Sequence, residues 1–77
     1  TRIEYQLPQA GEINLSIFNT NGQLIKTLSQ DYISSPGHYF AHWDGTNDFG
    51  TAVSTGMYMF VLRADGFRQV RKVIYSK

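Results

Sequence analysis

The stretch from residue 43 to residue 58 reads Trp-Asp-Gly-Thr-Asn-Asp-Phe-Gly-Thr-Ala-Val-Ser-Thr-Gly-Met-Tyr and narrows the fold of this chain more than any other. It is a long run of turn-forming residues between two apolar segments, with an aromatic residue at each end. Asp and Asn bond their own backbone through short side chains, and Gly reaches positive φ freely, so all three favour turns. We therefore expect an ordered loop between two strands. The residues expected to hold this loop are Trp43, Asp44, Gly45, Gly50, Gly56 and Tyr58.

Apolar and polar residues alternate on the N-terminal side of this loop, as they do in half-buried strands. The alternation is cleanest over residues 13–17. Asn21 and Gly22 then predict a hairpin with a type I′ turn, which needs positive φ at both central positions. The apolar residues of the return strand, residues 23–30, do not share one parity. A β-bulge that shifts the phase would reconcile them.

The strand after the loop, residues 57–64, is apolar on both faces, so we expect it in the middle of a sheet with both faces covered. Asp65 and Gly66 predict a second tight turn, and residues 67–75 form the last strand. Turn signals recur about every 8 to 12 residues, without a helix of useful length. The pattern predicts an all-β chain, an antiparallel β-sandwich of about seven short strands that forms a single domain over residues 1–77.

Composition and charge limit the class of protein. The chain of 77 residues has no cysteine, which excludes disulfides and zinc-thiolate sites. It begins without Met and lacks the apolar run of about 20 residues that a membrane helix needs, so we expect a domain cut from a larger protein. The net charge of +1 does not favour a nucleic-acid partner. Residues 63–77 carry five cations against one carboxylate, a net +4, so the basic charge lies at the C-terminus.

Oxygen-bearing residues cluster in the loop, and a calcium site made from Asp44, Asn47 and Asp48 stays open as a minor alternative. Their spacing does not match an EF-hand, and we favour the interpretation that Asp44 and Asn47 bond backbone N–H groups of the loop. His38 and His42 stand four apart, which on a strand separates them by about 13 Å. They are expected to face solvent and not to share a metal, and no cofactor is predicted.

No catalytic motif is present. The sequence has no Gly-x-Ser-x-Gly elbow and no phosphate-binding loop, and its carboxylates are spread over turns and strand edges, so we predict that the domain is not an enzyme. Phe18, Tyr32 and Phe49 could stack on sugars, although packing under loops or against a neighbouring domain is favoured. The basic C-terminal hairpin could dock on an acidic partner, yet charges on an edge strand also discourage aggregation.

Segments along nearly the whole chain match one known pattern. They are Ile3-Glu-Tyr-Gln-Leu-Pro8, Ile13-Asn-Leu-Ser-Ile-Phe-Asn19, Asn21-Gly-Gln-Leu-Ile25 with Leu28, Gly37-His38, Trp43-Asp-Gly45, then Asn47, Gly50, Val53, Gly56 and Tyr58, and finally Lys72-Val-Ile74 with Lys77. This ordered series resembles the immunoglobulin-like domain named after the flagellar hook-capping protein. It is also similar to the C-terminal sorting domains of proteins secreted by the type IX system of Bacteroidetes-like bacteria.

The resemblance implies a non-catalytic immunoglobulin-like β-sandwich that ends a large secreted or cell-surface protein, beside a catalytic domain of that parent. It implies a sorting or attachment role, with the secretion translocon or a cell-envelope component as partner. The residues expected to take part in recognition are Arg68 and Arg71 of the basic hairpin and Lys72, Val73, Ile74 and Lys77 of the ending. The alternatives are a structural spacer or assembly module of an extracellular enzyme or hook-cap-like protein, and a carbohydrate-binding accessory module.

Overall fold

The computed structural model describes residues 1–77 and contains six strands. They are β1 (Arg2–Leu7), β2 (Gly11–Asn19), β3 (Leu24–Ile33), β4 (Gly37–His42), β5 (Gly56–Ala64) and β6 (Phe67–Tyr75). The predicted all-β antiparallel sandwich is confirmed, with six strands where the sequence pattern suggests about seven. None of its segments is a helix long and apolar enough to span a bilayer.

The strands form two sheets that pack face to face. The larger sheet has the order β3-β2-β5-β6, and the smaller sheet pairs β1 with β4. Every pair is antiparallel. β5 therefore lies in the middle of its sheet, as its apolar sequence predicts. The long loop between β4 and β5 carries the chain from the smaller sheet to the larger one.

The core lies where the inner faces of the two sheets meet. Alternate residues point inward because successive side chains of a strand point to opposite faces. Tyr5 of the smaller sheet stacks on Tyr39, with ring centroids 5.8 Å apart, and lies 6.1 Å from the ring of Phe60 in the larger sheet. The buried residues that form this core are Ile3, Tyr5, Leu7, Ile13, Leu15, Ile17, Ala41, Trp43, Tyr58, Phe60, Leu62 and Val73.

The hairpin between β2 and β3 forms where Asn21 and Gly22 predict it, but the predicted type I′ turn is wrong. Gly22 has φ +81°, whereas no residue other than glycine has positive φ, so Asn21 lacks the conformation that type I′ requires. The N–H of Asn19 donates to the Gln23 carbonyl at 3.0 Å and closes a longer loop. The side-chain oxygen of Asn19 accepts the N–H groups of Asn21 and Gln23, at 3.0 and 2.9 Å, which stabilises that loop.

β3 contains two bulges, as the change of phase among its apolar residues predicts. Leu15 pairs with Ser29 and the next residue of β2 pairs with Thr27, so Leu28 has no partner. Ile25 is skipped in the same way nearer the hairpin. Both skipped residues are half-buried against the core, so the bulges turn additional apolar side chains inward.

The second apolar face of β5 is not covered, contrary to the prediction. The smaller sheet covers the face that carries Phe60 and Leu62, both of which are fully buried. On the opposite face, Met57 is 42% exposed and Ile74 of the neighbouring β6 is 64% exposed. The reason is that β1 and β4 supply one covering layer and the chain has no third layer.

We expect Phe60→Ala to lower the free energy of unfolding by about 3–5 kcal/mol, because the truncation leaves a cavity at a fully buried position. Phe49→Ala removes the same side chain from a position that is 93% exposed, and its effect should stay within about 0.5 kcal/mol. Urea denaturation followed by tryptophan fluorescence measures both. If Phe60→Ala leaves no folded protein, Phe60→Leu gives the same comparison. Equal losses at positions 49 and 60 would contradict this placement of the core.

Candidate functional site

The loop from residue 43 to residue 58 begins at a buried tryptophan. Trp43 is 1% exposed, and its indole Nε1 donates to the Thr46 carbonyl at 2.9 Å. Its ring meets the ring of Tyr58 edge to face, with centroids 5.0 Å apart, and lies 5.2 Å from the ring of Tyr75. The two aromatic ends of the loop are therefore in contact, and the last strand packs against both.

Asp44 holds the first turn of the loop. Its Oδ1 accepts the backbone N–H of Thr46 at 3.1 Å and the Thr46 hydroxyl at 2.6 Å. The Thr46 hydroxyl, with its N–H, lowers the pKa of Asp44 below the usual value of an aspartate. Both bonds favour the charged carboxylate because they donate to it.

Asn47 holds the tip of the loop. Its Oδ1 accepts the N–H groups of Phe49 and Thr51, at 2.9 and 3.0 Å. Its backbone carbonyl accepts the N–H of Gly50, which has φ +81°. The left-handed glycine is what lets the tip reverse within so few residues. The predicted bonding of Asp44 and Asn47 to loop backbone is confirmed.

Asp48 fastens the loop to β3, at the end of that strand where the bulges lie. Its N–H donates to the Ile25 carbonyl and its Oδ1 accepts the N–H of Thr27, both at 3.0 Å. The Lys26 ammonium lies 3.4 Å from the Thr46 hydroxyl and from the Asn47 carbonyl. The loop thus forms hydrogen bonds with the Ile25 carbonyl and the Thr27 N–H of the edge strand β3, and these backbone groups are no longer free to pair with another strand.

The three residues of the calcium alternative point to different places. Asp44 Oδ1 binds Thr46, Asn47 Oδ1 binds the tip of the loop, and Asp48 Oδ1 binds β3. No group of three or more His, Cys, Asp or Glu side chains is arranged to hold a metal ion. What these oxygens do in this structure is fix the course of the chain between the sheets.

The base of the loop is closed by two aromatic contacts. Gly45 is buried, has φ +78° and lies so close to the Tyr75 ring that a Cβ at this position would overlap it. At the other end of the loop, the Tyr58 hydroxyl donates to the Ser54 carbonyl at 2.7 Å. Position 45 therefore requires glycine for two reasons, the positive φ of its backbone and the lack of space for a side chain.

Two of the residues predicted to take part in recognition make contacts within the domain, although only Val73 is buried. Val73 is buried in the core, opposite Tyr58. Arg71 lies opposite Phe60 on the same face of β6, and its Nη1 donates to the Glu4 carbonyl of β1 at 2.7 Å. This bond joins β6 of the larger sheet to β1 of the smaller one.

Like Arg71, the other predicted recognition residues are exposed. Arg68, Lys72 and Ile74 alternate with the inward residues of β6 and project from the outer side of the larger sheet. Lys77 follows the strand, and its backbone N–H lies 3.3 Å from the Thr55 hydroxyl. A partner could reach these four residues without disturbing the core.

The outer side of the smaller sheet is polar. His38 and His42 are both exposed there, as predicted, and His38 Nδ1 lies 3.7 Å from a carboxylate oxygen of Glu4. The guanidinium of Arg2 sits 3.7 Å from the centre of the Phe40 ring. This face has the charged and amphipathic side chains expected of a sheet in water.

The three aromatics considered for sugar stacking do not form one platform. Phe18 lies opposite Leu24 and Tyr32 lies opposite Glu12, so six residues of β2, roughly 20 Å, separate their positions. Phe49 is 93% exposed at the tip of the loop. Tyr32 lines an open depression of about 940 Å³ at one end of the larger sheet.

Residues 1–66 match the family described as the FlgD Ig-like domain. The chain belongs to this family. The match covers β1 to β5 and the whole loop, so the predicted resemblance to the hook-cap immunoglobulin-like domain is confirmed. The residues of β6 follow the matched range of the FlgD Ig-like domain. No curated protein and no solved structure matches the chain.

Sequence reasoning counted Thr46 only among the oxygen-bearing residues of the loop, without its bond to Asp44, and missed Tyr75 as part of this site. Thr46 follows Asp44 by two residues, the spacing of a turn in which the carboxylate accepts a nearby N–H, so a local signal was available. Tyr75 has no such signal, because its contact with Gly45 joins residues 30 positions apart in sequence. Only the packing of β6 beside the loop reveals it.

We expect Gly45→Ala to destabilise the FlgD Ig-like domain more than Gly50→Ala. Both glycines have positive φ, which costs an alanine about 1–2 kcal/mol. Only Gly45 also meets a ring, whereas the space beside Gly50 is open. Thermal and urea denaturation of the two variants measure the difference. Equal destabilisation would show that the Tyr75 contact adds nothing.

Proposed function

We propose that this FlgD Ig-like domain is a non-catalytic assembly module of a secreted or cell-surface bacterial protein. The observation that carries the proposal is that the polar side chains of the loop bond the domain itself. Asp44 and Asn47 accept loop N–H groups, and Asp48 accepts from β3. A loop held in this way keeps two sheets in fixed orientation, which is a mechanical and not a chemical task.

The two ends of the domain lie close together, which favours the role of an assembly module over that of a spacer in line with the polypeptide. The Thr1 carbonyl accepts the Trp43 N–H at 2.8 Å, and the Tyr75 ring lies 5.2 Å from the Trp43 ring. Both ends of the sandwich therefore lie beside one residue. A domain whose ends adjoin projects from a polypeptide instead of lengthening it, so its free surfaces can contact other proteins or the parent's catalytic domain.

The test is to replace residues 1–77 in the natural polypeptide with an unrelated β-sandwich domain. We expect the polypeptide to lose its place in its native complex, measured by size-exclusion chromatography and co-purification. The remainder of the polypeptide should keep its own folding transition. Normal assembly after the replacement would contradict a specific assembly role and leave a passive spacer.

A second candidate is an export signal for the type IX secretion system, and the basic last strand favours it. β6 lies at the free edge of the larger sheet, with Arg68 and Lys72 exposed. The sequence from Lys72 to Lys77 has the basic and aliphatic character that the resemblance to sorting domains implies. The partner would be the translocon or a cell-envelope component, reached by charge complementarity and edge contacts.

Export is best tested with charge reversal, because deleting the last residues would also remove Val73 from the core. Residues 1–77 are fused to a reporter in a host with the type IX system. We expect Lys72→Glu with Lys77→Glu to abolish secretion of the reporter, while Arg2→Glu on the opposite sheet has no effect. Circular dichroism confirms that each variant folds. Unchanged secretion, or no secretion of the unaltered fusion, would contradict the signal.

A further inference from the structure

The side of the larger sheet that faces away from the smaller sheet, called here the outer face, carries a continuous apolar surface. The strand registers place Phe18 beside Leu24 and Met59, Val61 beside Val70, and Met57 beside Ile74. These neighbours cover Val61, which is only 4% exposed although no second layer lies over it. The apolar residues of the outer face are Phe18, Leu24, Met57, Met59, Val61, Val70 and Ile74.

Much of this apolar surface is open to water. Leu24, Met57, Val70 and Ile74 are exposed by 52%, 42%, 45% and 64%. The corresponding side of the smaller sheet is a control within the same molecule, because it carries Arg, Glu, Gln and His with one phenylalanine. Contiguous apolar surface on a soluble domain marks an interaction site, whereas isolated apolar residues do not. The outer face therefore carries an apolar strip that stays partly open to water, with Lys72, Arg63 and Arg68 among and beside the apolar side chains.

The cations on the outer face have no carboxylate partners within the domain. Arg63 lies directly opposite Arg68, and Lys72 lies on the same face opposite Met59. Like charges opposite each other destabilise a strand pair. The one approach within 4 Å of a basic side chain to a carboxylate, 3.7 Å between His38 Nδ1 and Glu4, lies on the other sheet. Arg63 shares the open depression at its end of the sheet with Glu12, Asp31 and Asp65, but neither arginine forms an ion pair with a carboxylate, so both guanidinium groups are available to carboxylates of a partner.

We propose that the outer face docks a separate protein whose contact surface is apolar and carries carboxylates opposite Arg63 and Arg68. The proposal rests on the assembly role proposed above and names the surface that performs it. Apolar side chains would supply the buried centre, and the arginines would fix orientation by paired hydrogen bonds to carboxylates.

A second copy of the chain does not meet this description. Glu12 is the one carboxylate among the strand residues of the outer face, and it lies opposite Tyr32 on the edge strand β3. Packing two outer faces together would bury six cations, from Arg63, Arg68 and Lys72, against four carboxylates when the turn residue Asp65 is counted with Glu12. Burying unpaired charge is costly, so charge complementarity favours a different, acidic protein.

The experiment introduces a photoreactive benzoylphenylalanine at position 74 of the natural polypeptide in its native host. The control carries the same group at position 40, which is similarly exposed on the smaller sheet. We expect position 74 to cross-link one separate protein, and position 40 to give no such product. Mass spectrometry identifies the cross-linked peptide.

Arg63→Glu separates docking from folding. It creates an opposite-charge pair with Arg68, which offsets the repulsion from Glu12 and Asp65 in the same depression, so the melting temperature should change little. The cross-link at position 74 should nevertheless fall at least about tenfold, because a carboxylate of the partner would then face a carboxylate. Replacing the partner's surface carboxylates that lie about 20 Å from the cross-linked residue by Lys should restore the cross-link, and Arg2→Glu should leave it unchanged.

Several results would overturn the proposal. The first two are the absence of a cross-link at position 74 and equal cross-linking at positions 40 and 74. The third is a cross-link from position 74 to lipid, to another copy of the chain or to the same polypeptide. The last is a cross-linking yield that Arg63→Glu does not change. If domain replacement disrupts assembly while any of these holds, the assembly role stands and the outer face is not its surface. If domain replacement has no effect, the proposed function itself fails.

Discussion

The structure depends on the burial of one indole at the point where the chain leaves the smaller sheet. A buried indole N–H needs an acceptor, and Trp43 finds it in the carbonyl of Thr46, only three residues ahead. That bond forces the loop to turn back at once, and the Asp44 carboxylate holds the same turn from the other side. The ring then receives Tyr75 from the last strand. Trp43 thus stabilises the turn of the loop through its side chain and contacts both ends of the chain, the Thr1 carbonyl through its backbone and Tyr75 through its ring.

The fold could largely be predicted from the sequence because its dominant signals are local. Alternation with a period of two identifies the strands, and the change of phase in β3 identifies its bulges. The turn after β2 was assigned the wrong type because Asn21-Gly22 fits several hairpins, and the side chain of Asn19 decides among them. The site was less predictable, since the contacts of Gly45 and Asp48 reach residues 30 and 21 positions away in the chain.

The two sheets show how far apolar pattern alone can be interpreted. In β5 the pattern correctly indicates two apolar faces, but it says nothing about which molecule covers each. The smaller sheet covers one face, and its own far side is polar enough to end the sandwich. The far side of the larger sheet mixes apolar residues of β5 and β6 with Arg63, Arg68 and Lys72. In a domain of two layers, the two outer sides therefore differ, because one is polar and the other exposes apolar side chains to water.

The bond from Arg71 to the Glu4 carbonyl joins residues 67 positions apart, and it bears on when the domain can fold. β1 pairs only with β4 within its sheet, and Trp43 gains its last aromatic neighbour from Tyr75. Contacts between distant residues form late, because the intervening chain must first be ordered. The first strand of a nascent chain therefore waits unpaired until β4 is made, and the core closes only after the last strand has emerged from the ribosome.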